Sequence, residues 1–298
     1  MNAAYTELTP DELTERAQTL HGMSEECRIC PRGCGARRHD GEHGLCHAAD
    51  AVVVASAGPH FGEESVLVGT MGSGTIFFTG CNLDCSFCQN FDISHLGAGE
   101  RITIADLAAL MLQLQTRGCH NINLVTPTHY TAEIVEALAE ACARGLELPI
   151  VWNSGGYESV ETLRLLEGIV DIYMPDLKYG SNQAGERYSG IDDYWDIARE
   201  AIREMHRQVG DLCVGPRGIA RRGLLVRHLV LPENAAQSRE VIDFLADGIS
   251  PDIYVNVMEQ YYPAFRAERF AELSRRLRPD EHAAAVAHAR SRGLRLAD

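Results

Sequence analysis

The run GSGTIFFTGCNLDCSFCQN, residues 72–90, carries an apolar stretch, Thr75-Ile-Phe-Phe-Thr79, that reads as a strand. That strand ends by delivering Cys81, Cys85 and Cys88 into a loop, with gaps of three and two residues between the thiols. The same loop holds Asn82, Asp84, Gln89 and Asn90, a polar setting in which cysteines that merely fill a core are not expected. Thiolates are soft ligands that select iron–sulfur clusters or zinc. Structural sites normally close their shell with four protein ligands, whereas three thiolates leave one corner of a [4Fe-4S] cube free for chemistry.

Outward from this loop the chain alternates between short apolar strands and amphipathic helices. The pattern predicts strands at 75–79, 120–125, 149–152, 169–174, 224–231 and 253–258, and helices near 104–117, 131–144, 159–167, 194–208, 238–247 and 267–277. Such alternation implies an α/β fold with a parallel sheet and helices outside it. The expected division is an N-terminal helix and four-cysteine segment at 1–50, a hairpin at 51–73, a barrel at 74–262 and C-terminal helices at 263–298. The hairpin rests on reading Val52–Val54 and Ser65–Val68 as strands about the turn Gly58-Pro-His-Phe-Gly62. Asp280-Glu281 is expected to start a last helix that stops at Gly293. The glycine-rich run Gly69–Gly74 precedes a strand and opens no helix, so it is a poor phosphate loop.

Upstream, Thr9-Pro-Asp-Glu12 reads as a capping box that starts a helix running to about His21 and ending at Gly22. Cys27, Cys30, Cys34 and Cys46 then fall in a segment too rich in glycine to bury much apolar surface. A bound ion is a substitute for that missing core, as zinc or a second iron–sulfur cluster, with His39, His43 or His47 able to replace one thiol.

The 298 residues carry a formal charge of −15 and a pI near 5.2, which disfavours a nucleic-acid backbone as the main partner. Arg275, Arg276 and Arg278 read as a solvated face balanced by nearby glutamates. The start of the chain is polar and acidic, and no run of eighteen apolar residues occurs, so the ten cysteines are expected in a reducing cytoplasm. Of 27 basic residues all but Lys178 are arginine. A lysine that survives such a bias points to a role that the broader guanidinium cannot fill. Alternation along Met174-Pro-Asp-Leu-Lys178 puts Asp176 and Lys178 on one side and Leu177 on the other. Arg227 and His228 likewise take opposite faces of their strand.

The chain resembles the radical S-adenosylmethionine (SAM) superfamily, and within it an uncharacterised branch like the pyruvate formate-lyase activating enzyme. The likeness covers about residues 27–265 and rests on the N-terminal cysteines, PHFGEE (59–64), the 72–90 run, NINLVTPTHY (121–130), DIYMPDLKY (171–179) and RGLLVRHLVLP (222–232). It implies a partial (βα)6 barrel with Cys81, Cys85 and Cys88 as cluster ligands, SAM on the fourth iron, and Phe87 at the position where the family prefers an aromatic. Asn153 and Ser154, in an asparagine-rich turn, would meet SAM, as would Asp176, Lys178 and Arg227, the lysine reaching the SAM carboxylate. Where the family often has a Gly-Gly-Glu run this chain has Thr126-Pro-Thr-His-Tyr130; Thr126 and Thr128 could supply oxygens instead, and His129 or Tyr130 could face substrate. The strand ending Met258-Glu-Gln-Tyr261 lacks the histidine that relatives often carry there.

The implied chemistry begins with one electron from ferredoxin or flavodoxin and cleaves SAM to methionine and a 5′-deoxyadenosyl radical, with no acid–base residue required. Two substrate classes follow: a glycine of a partner glycyl-radical enzyme, which the chain would activate through an open barrel mouth, or a small molecule or peptide side chain in a more enclosed pocket. A non-catalytic electron carrier or sensor is the third reading.

Overall fold

The computed structural model describes residues 3–297. Six parallel strands form its centre: β2 (Ser73–Phe78), β4 (Ile122–Val125), β5 (Ile150–Ser154), β6 (Ile172–Pro175), β8 (Ala220–Leu229) and β9 (Tyr254–Met258), adjacent in that order. On one side β1 (Val52–His60) pairs antiparallel with β2, and β3 (Glu100–Ile102) pairs antiparallel with β1. On the other side β10 (Arg295–Leu296) adds two residues to β9, and β7 (Cys213–Val214) pairs with β8. The order runs from β10 to β3 without returning on itself, so the sheet is open. This is an α/β fold with a mostly parallel sheet, consistent with a partial barrel.

The connecting helices are α4 (Ile104–Thr116), α5 (Thr131–Ala143), α6 (Val160–Leu165), α8 (Tyr194–Val209) and α9 (Ser238–Gly248), each within a few residues of its predicted place. Local chemistry sets their starts. Thr103 and Asp106 form a capping box on α4, and the Ser159 hydroxyl accepts the Thr162 N–H at the start of α6. Strand residues such as Ile76, Leu124, Ile150, Ile172 and Val226 are fully buried, as expected for strands covered on both faces.

Several expectations need correction. The predicted hairpin does not form: Ser65–Val68 is a single helical turn, α2, and β1 runs through the expected turn to His60, where it pairs with β2. Val66, Leu67 and Val68 are all buried, and the turn is closed by the Val68 N–H donating to Glu64 O and the Gly69 N–H to Ser65 O. Pro59 is tolerated because β3 covers only Val52–Val54, leaving that part of β1 an edge. The first helix, α1 (Pro10–Glu25), has the predicted Thr9–Glu12 box but continues past Gly22, because Met23 and Ser24 are buried beyond it. The expected helix at 267–277 is two 3₁₀ turns, Ala267–Arg269 and Ala271–Leu273, divided by Phe270 in extended backbone. Tertiary contacts hold that break: the Phe270 ring packs edge-on to Tyr188, and Glu272 accepts from Arg187 and Tyr188. Besides α2, the chain adds the four-residue turn α3 (Phe91–Ser94), the unpredicted α7 (Asn182–Ser189) and the expected last helix α10 (Pro279–Ser291). Arg275 and Arg278 pair with Glu281, as the balanced charges suggested.

Candidate active site

The carboxy-terminal ends of the parallel strands face one cavity of about 260 Å³. Cys81, Cys85, Cys88 and Phe87 line it from the loop after β2, Thr126 from the end of β4, Asn153 and Ser154 from the last residues of β5, and Asp176, Lys178 and Arg227 from beyond. Ligands of βα barrels meet loops at this end of the strands.

The β2 loop is held by close packing. Gly80 has φ +90°, and a Cβ there would stand 2.4 Å from the Cys46 carbonyl oxygen. Each thiol of the loop has one partner: Cys81 accepts the Leu83 N–H at 3.4 Å, Cys85 accepts the Ser189 hydroxyl at 3.0 Å, and Cys88 meets the Ser94 hydroxyl at 3.1 Å. Burial pushes the free thiols of Cys81 and Cys85 up, so metal must displace their protons. Among the described residues no three Cys, His, Asp or Glu side chains already converge on a point suited to a single ion. A cubane asks for something else, since each thiolate takes its own iron corner. The cavity lining includes no histidine, and its one carboxylate, Asp176, is otherwise engaged. The donor set therefore fits a three-thiolate [4Fe-4S] cluster.

Asp176 sits between two cations. Its Oδ2 is 2.6 Å from Lys178 Nζ and its Oδ1 2.8 Å from Arg227 Nε, while Arg227 Nη2 donates to Asn153 Oδ1 at 2.8 Å. Burial opposes charge on Asp176, but Arg227 and Lys178 outweigh it and hold its carboxyl below the usual range. Lys178 is likewise opposed by burial, and Asp176 keeps it charged. Leu177 is fully buried between them, as strand alternation predicted. Behind the pair, the Tyr194 hydroxyl accepts the Lys178 N–H at 2.9 Å and lies 3.0 Å from the carbonyls of Gly155 and Asp176. Gly156, at φ +76°, lets the Asn153–Gly156 turn come this close: a Cβ would stand 2.2 Å from Asp176 O.

Other candidates turn elsewhere. Thr128 does not line the cavity, because its buried hydroxyl donates to Glu158 at 2.7 Å. His129 and Tyr130 are buried, the imidazole Nε2 donating to Thr79 O and the phenol ring packing on Phe78. His228 is a satisfied core group between Leu177 O and Ser238 Oγ. Thr126 keeps its place on the wall in left-handed backbone, φ +57°, a strained conformation for a β-branched residue. Phe87 packs edge-on against Tyr179 and Tyr261. Ser189, Ser94 and Tyr194 had no local signal in the sequence, since they reach the site only through the packing of α7, α3 and α8.

A second cavity, about 910 Å³, shares Arg227, Met258 and Gln260 with the first. It lies between the segment after β1, with Glu63 and Glu64, and β9 with α10, which contribute Asn256, Glu259 and His282.

Comparison with known proteins adds four findings. A family model described as the radical SAM superfamily matches residues 75–245, more than half of the chain. An uncharacterised protein of Methanocaldococcus jannaschii is 31% identical over 281 residues, covering 91% of this chain and 76% of that protein. A solved radical SAM methyltransferase from Sphaerobacter thermophilus matches 75% of this chain and 65% of its own at 15% identity and a TM-score of 0.50. Streptococcus suis SuiB, solved with its precursor peptide SuiA, matches 73% of this chain and 46% of its own at 12% identity and a TM-score of 0.49. The chain thus spans less than two thirds of these two structures, and its likeness to the methyltransferase is one of fold.

Proposed function

The chain belongs to the radical SAM superfamily, and we propose that the cavity at its strand ends binds SAM beside a cluster held by Cys81, Cys85 and Cys88. One observation carries the reading: three thiols and the Lys178–Asp176–Arg227 charge group face a single cavity that supplies no fourth metal ligand. When bound, the cluster and SAM supply a one-electron cleavage that yields methionine and a 5′-deoxyadenosyl radical for hydrogen abstraction, the electron coming from ferredoxin or flavodoxin.

The residues then divide the work of holding and orienting. Lys178 offers a permanent positive charge to the SAM carboxylate, and Asp176 keeps both Lys178 and Arg227 pointed into the cavity. Asn153, Ser154 and Thr126 give polar contacts at the strand ends, and Phe87 makes an apolar wall. Ser189 and the Leu83 N–H donate to the Cys85 and Cys81 sulfurs and so help set the electron affinity of the bound cluster, while the Ser94 hydroxyl, which donates to Asn90 O, lies 3.1 Å from the Cys88 sulfur.

The substrate reading supported best is a small molecule or a peptide side chain. The adjoining cavity, about 910 Å³ and polar at Glu63, Glu64 and Asn256, is of the size that takes such a group. Activation of a glycyl-radical enzyme is the second reading, and the open order of the sheet favours it by leaving one side of the barrel accessible. Anaerobic turnover with deuterium-labelled candidates separates them. Label entering 5′-deoxyadenosine from a small molecule or side chain supports the first; label arriving only from a partner protein's glycine supports the second.

A further inference from the structure

The four N-terminal cysteines lie outside this cavity and have no part in the chemistry above. Three of them, Cys27, Cys30 and Cys46, are buried, and backbone bonds fold the segment around them: the Cys27 N–H donates to Ala36 O, the Gly35 N–H to Cys27 O, the Gly33 N–H to Cys30 O and the Gly44 N–H to Ala48 O. Buried cysteines drawn together in so short and glycine-rich a segment are the donor set of a closed thiolate site.

The thiols are also neighbours of one another. A Cβ on Gly44 would stand 3.2 Å from the Cys46 sulfur and 3.5 Å from that of Cys34, so both sulfurs crowd the same glycine. Arg38, almost fully buried, lies against Cys27 and Cys46 while its own donors go to Ala49 O, His129 O and Glu133. A buried guanidinium beside neutral thiols gains little, whereas beside thiolates it offsets their charge. The histidines considered as substitutes face elsewhere: His39 meets Ser24, and His43 bonds to the carbonyl of His47.

The segment is tied to the first cluster loop at three points. The Cys81 N–H donates to the Cys46 carbonyl at 3.2 Å, so a ligand residue of one group is hydrogen-bonded to a cysteine of the other. Arg32, inside the four-cysteine segment, donates to Asn82 O at 2.9 Å and to Gly190 O, next to Ser189, at 3.1 Å.

We propose that Cys27, Cys30, Cys34 and Cys46 hold a second, closed metal centre of thiophilic type, zinc or iron–sulfur, which braces the loop of the first cluster. The side chains rotate the remaining distance on binding, since no three of them yet share one point among the described residues.

The test counts metal in anaerobically purified chain whose Cys81, Cys85 and Cys88 are all replaced by alanine, with far-UV circular dichroism to establish folding. One zinc per chain, or the iron and sulfide of one cubane, is expected, and the two outcomes identify the ion. A folded chain with neither overturns the site. The brace is tested separately with Arg32→Ala in the otherwise native protein, which removes the ties to Asn82 and Gly190 and leaves every thiol. Iron is expected to leave the first cluster several-fold faster under a chelator while the second metal stays; an unchanged rate overturns the brace. Neither readout uses SAM cleavage, so failure here is distinguishable from failure of the proposed activity.

Discussion

The two cysteine groups of this chain are built from the same side chain and end as opposites. Cys27, Cys30, Cys34 and Cys46 sit in a glycine-rich knuckle, three of them buried, and none lines the cavity. Cys81, Cys85 and Cys88 stand at the end of β2, line a cavity, and two of their sulfurs take partners from the hydroxyls of Ser94 and Ser189. The first arrangement is closed and local; the second is open and assembled from distant parts of the chain. What separates a bracing centre from a reactive one is thus whether the fourth side faces protein or a cavity lined with charge.

The sharpest way to break this comparison is to remove one ligand. Cys85→Ser is expected to abolish the first cluster and all SAM cleavage while leaving metal at the N-terminal group; iron and zinc counts check it, and loss of both together would merge the two sites into one. Next, Lys178→Met is expected to keep the cluster and weaken SAM by at least about thirtyfold, since truncating one partner of a buried charge pair costs ~2–5 kcal/mol. Anaerobic calorimetry measures it, and unchanged affinity would remove Lys178 from the site.

A third prediction concerns Glu158, buried between the regions, near Cys30 and accepting from Thr128 and Trp152. Burial raises its carboxyl to about 7 from an ordinary value of 4.5. Because the folded value is the higher one, its contribution is fully present below about pH 4.5 and is lost as pH rises through about 7. Glu158→Gln should abolish that loss, worth up to roughly 3 kcal/mol at 1.36 kcal/mol per unit. Urea midpoints at acid and alkaline pH show it as a flattened profile, and parallel profiles for the two proteins would refute it.

The smallest effect is the most specific. Ser189→Ala removes one hydrogen bond to the Cys85 sulfur. A bond worth about 1 kcal/mol corresponds to ~40 mV for a one-electron couple, so the cluster potential should fall by that order. Cys213→Ser, an exposed thiol outside both groups, should leave the potential where it is.

Legibility in the sequence followed the same divide between local and assembled. The six strands, the thiol spacing, the Asp176–Lys178 alternation and the opposite faces of Arg227 and His228 were readable because period and spacing are properties of consecutive residues, while the choice of Arg227 as the inward one came from the family resemblance. The helical turn at Ser65–Val68 was not, since its β-branched composition suits a strand, whereas the backbone closes on Glu64 O and Ser65 O instead of pairing with a neighbour. Residues 182–189, NQAGERYS, hold few apolar side chains to mark a helix, yet Ser189 reaches Cys85 from there. Thr128 was misplaced because a residue near a strand end faces the cavity or the core by a rotation that Glu158, thirty residues later, determines.

The most direct test of the central claim is the electron paramagnetic resonance spectrum of the anaerobically reduced protein, recorded before and after adding SAM. An open corner at Cys81, Cys85 and Cys88 predicts that the cluster signal changes shape on addition of SAM, and that Cys85→Ser lacks both signals. A first-cluster signal that SAM leaves untouched would mean that the corner is already filled, and would contradict the account.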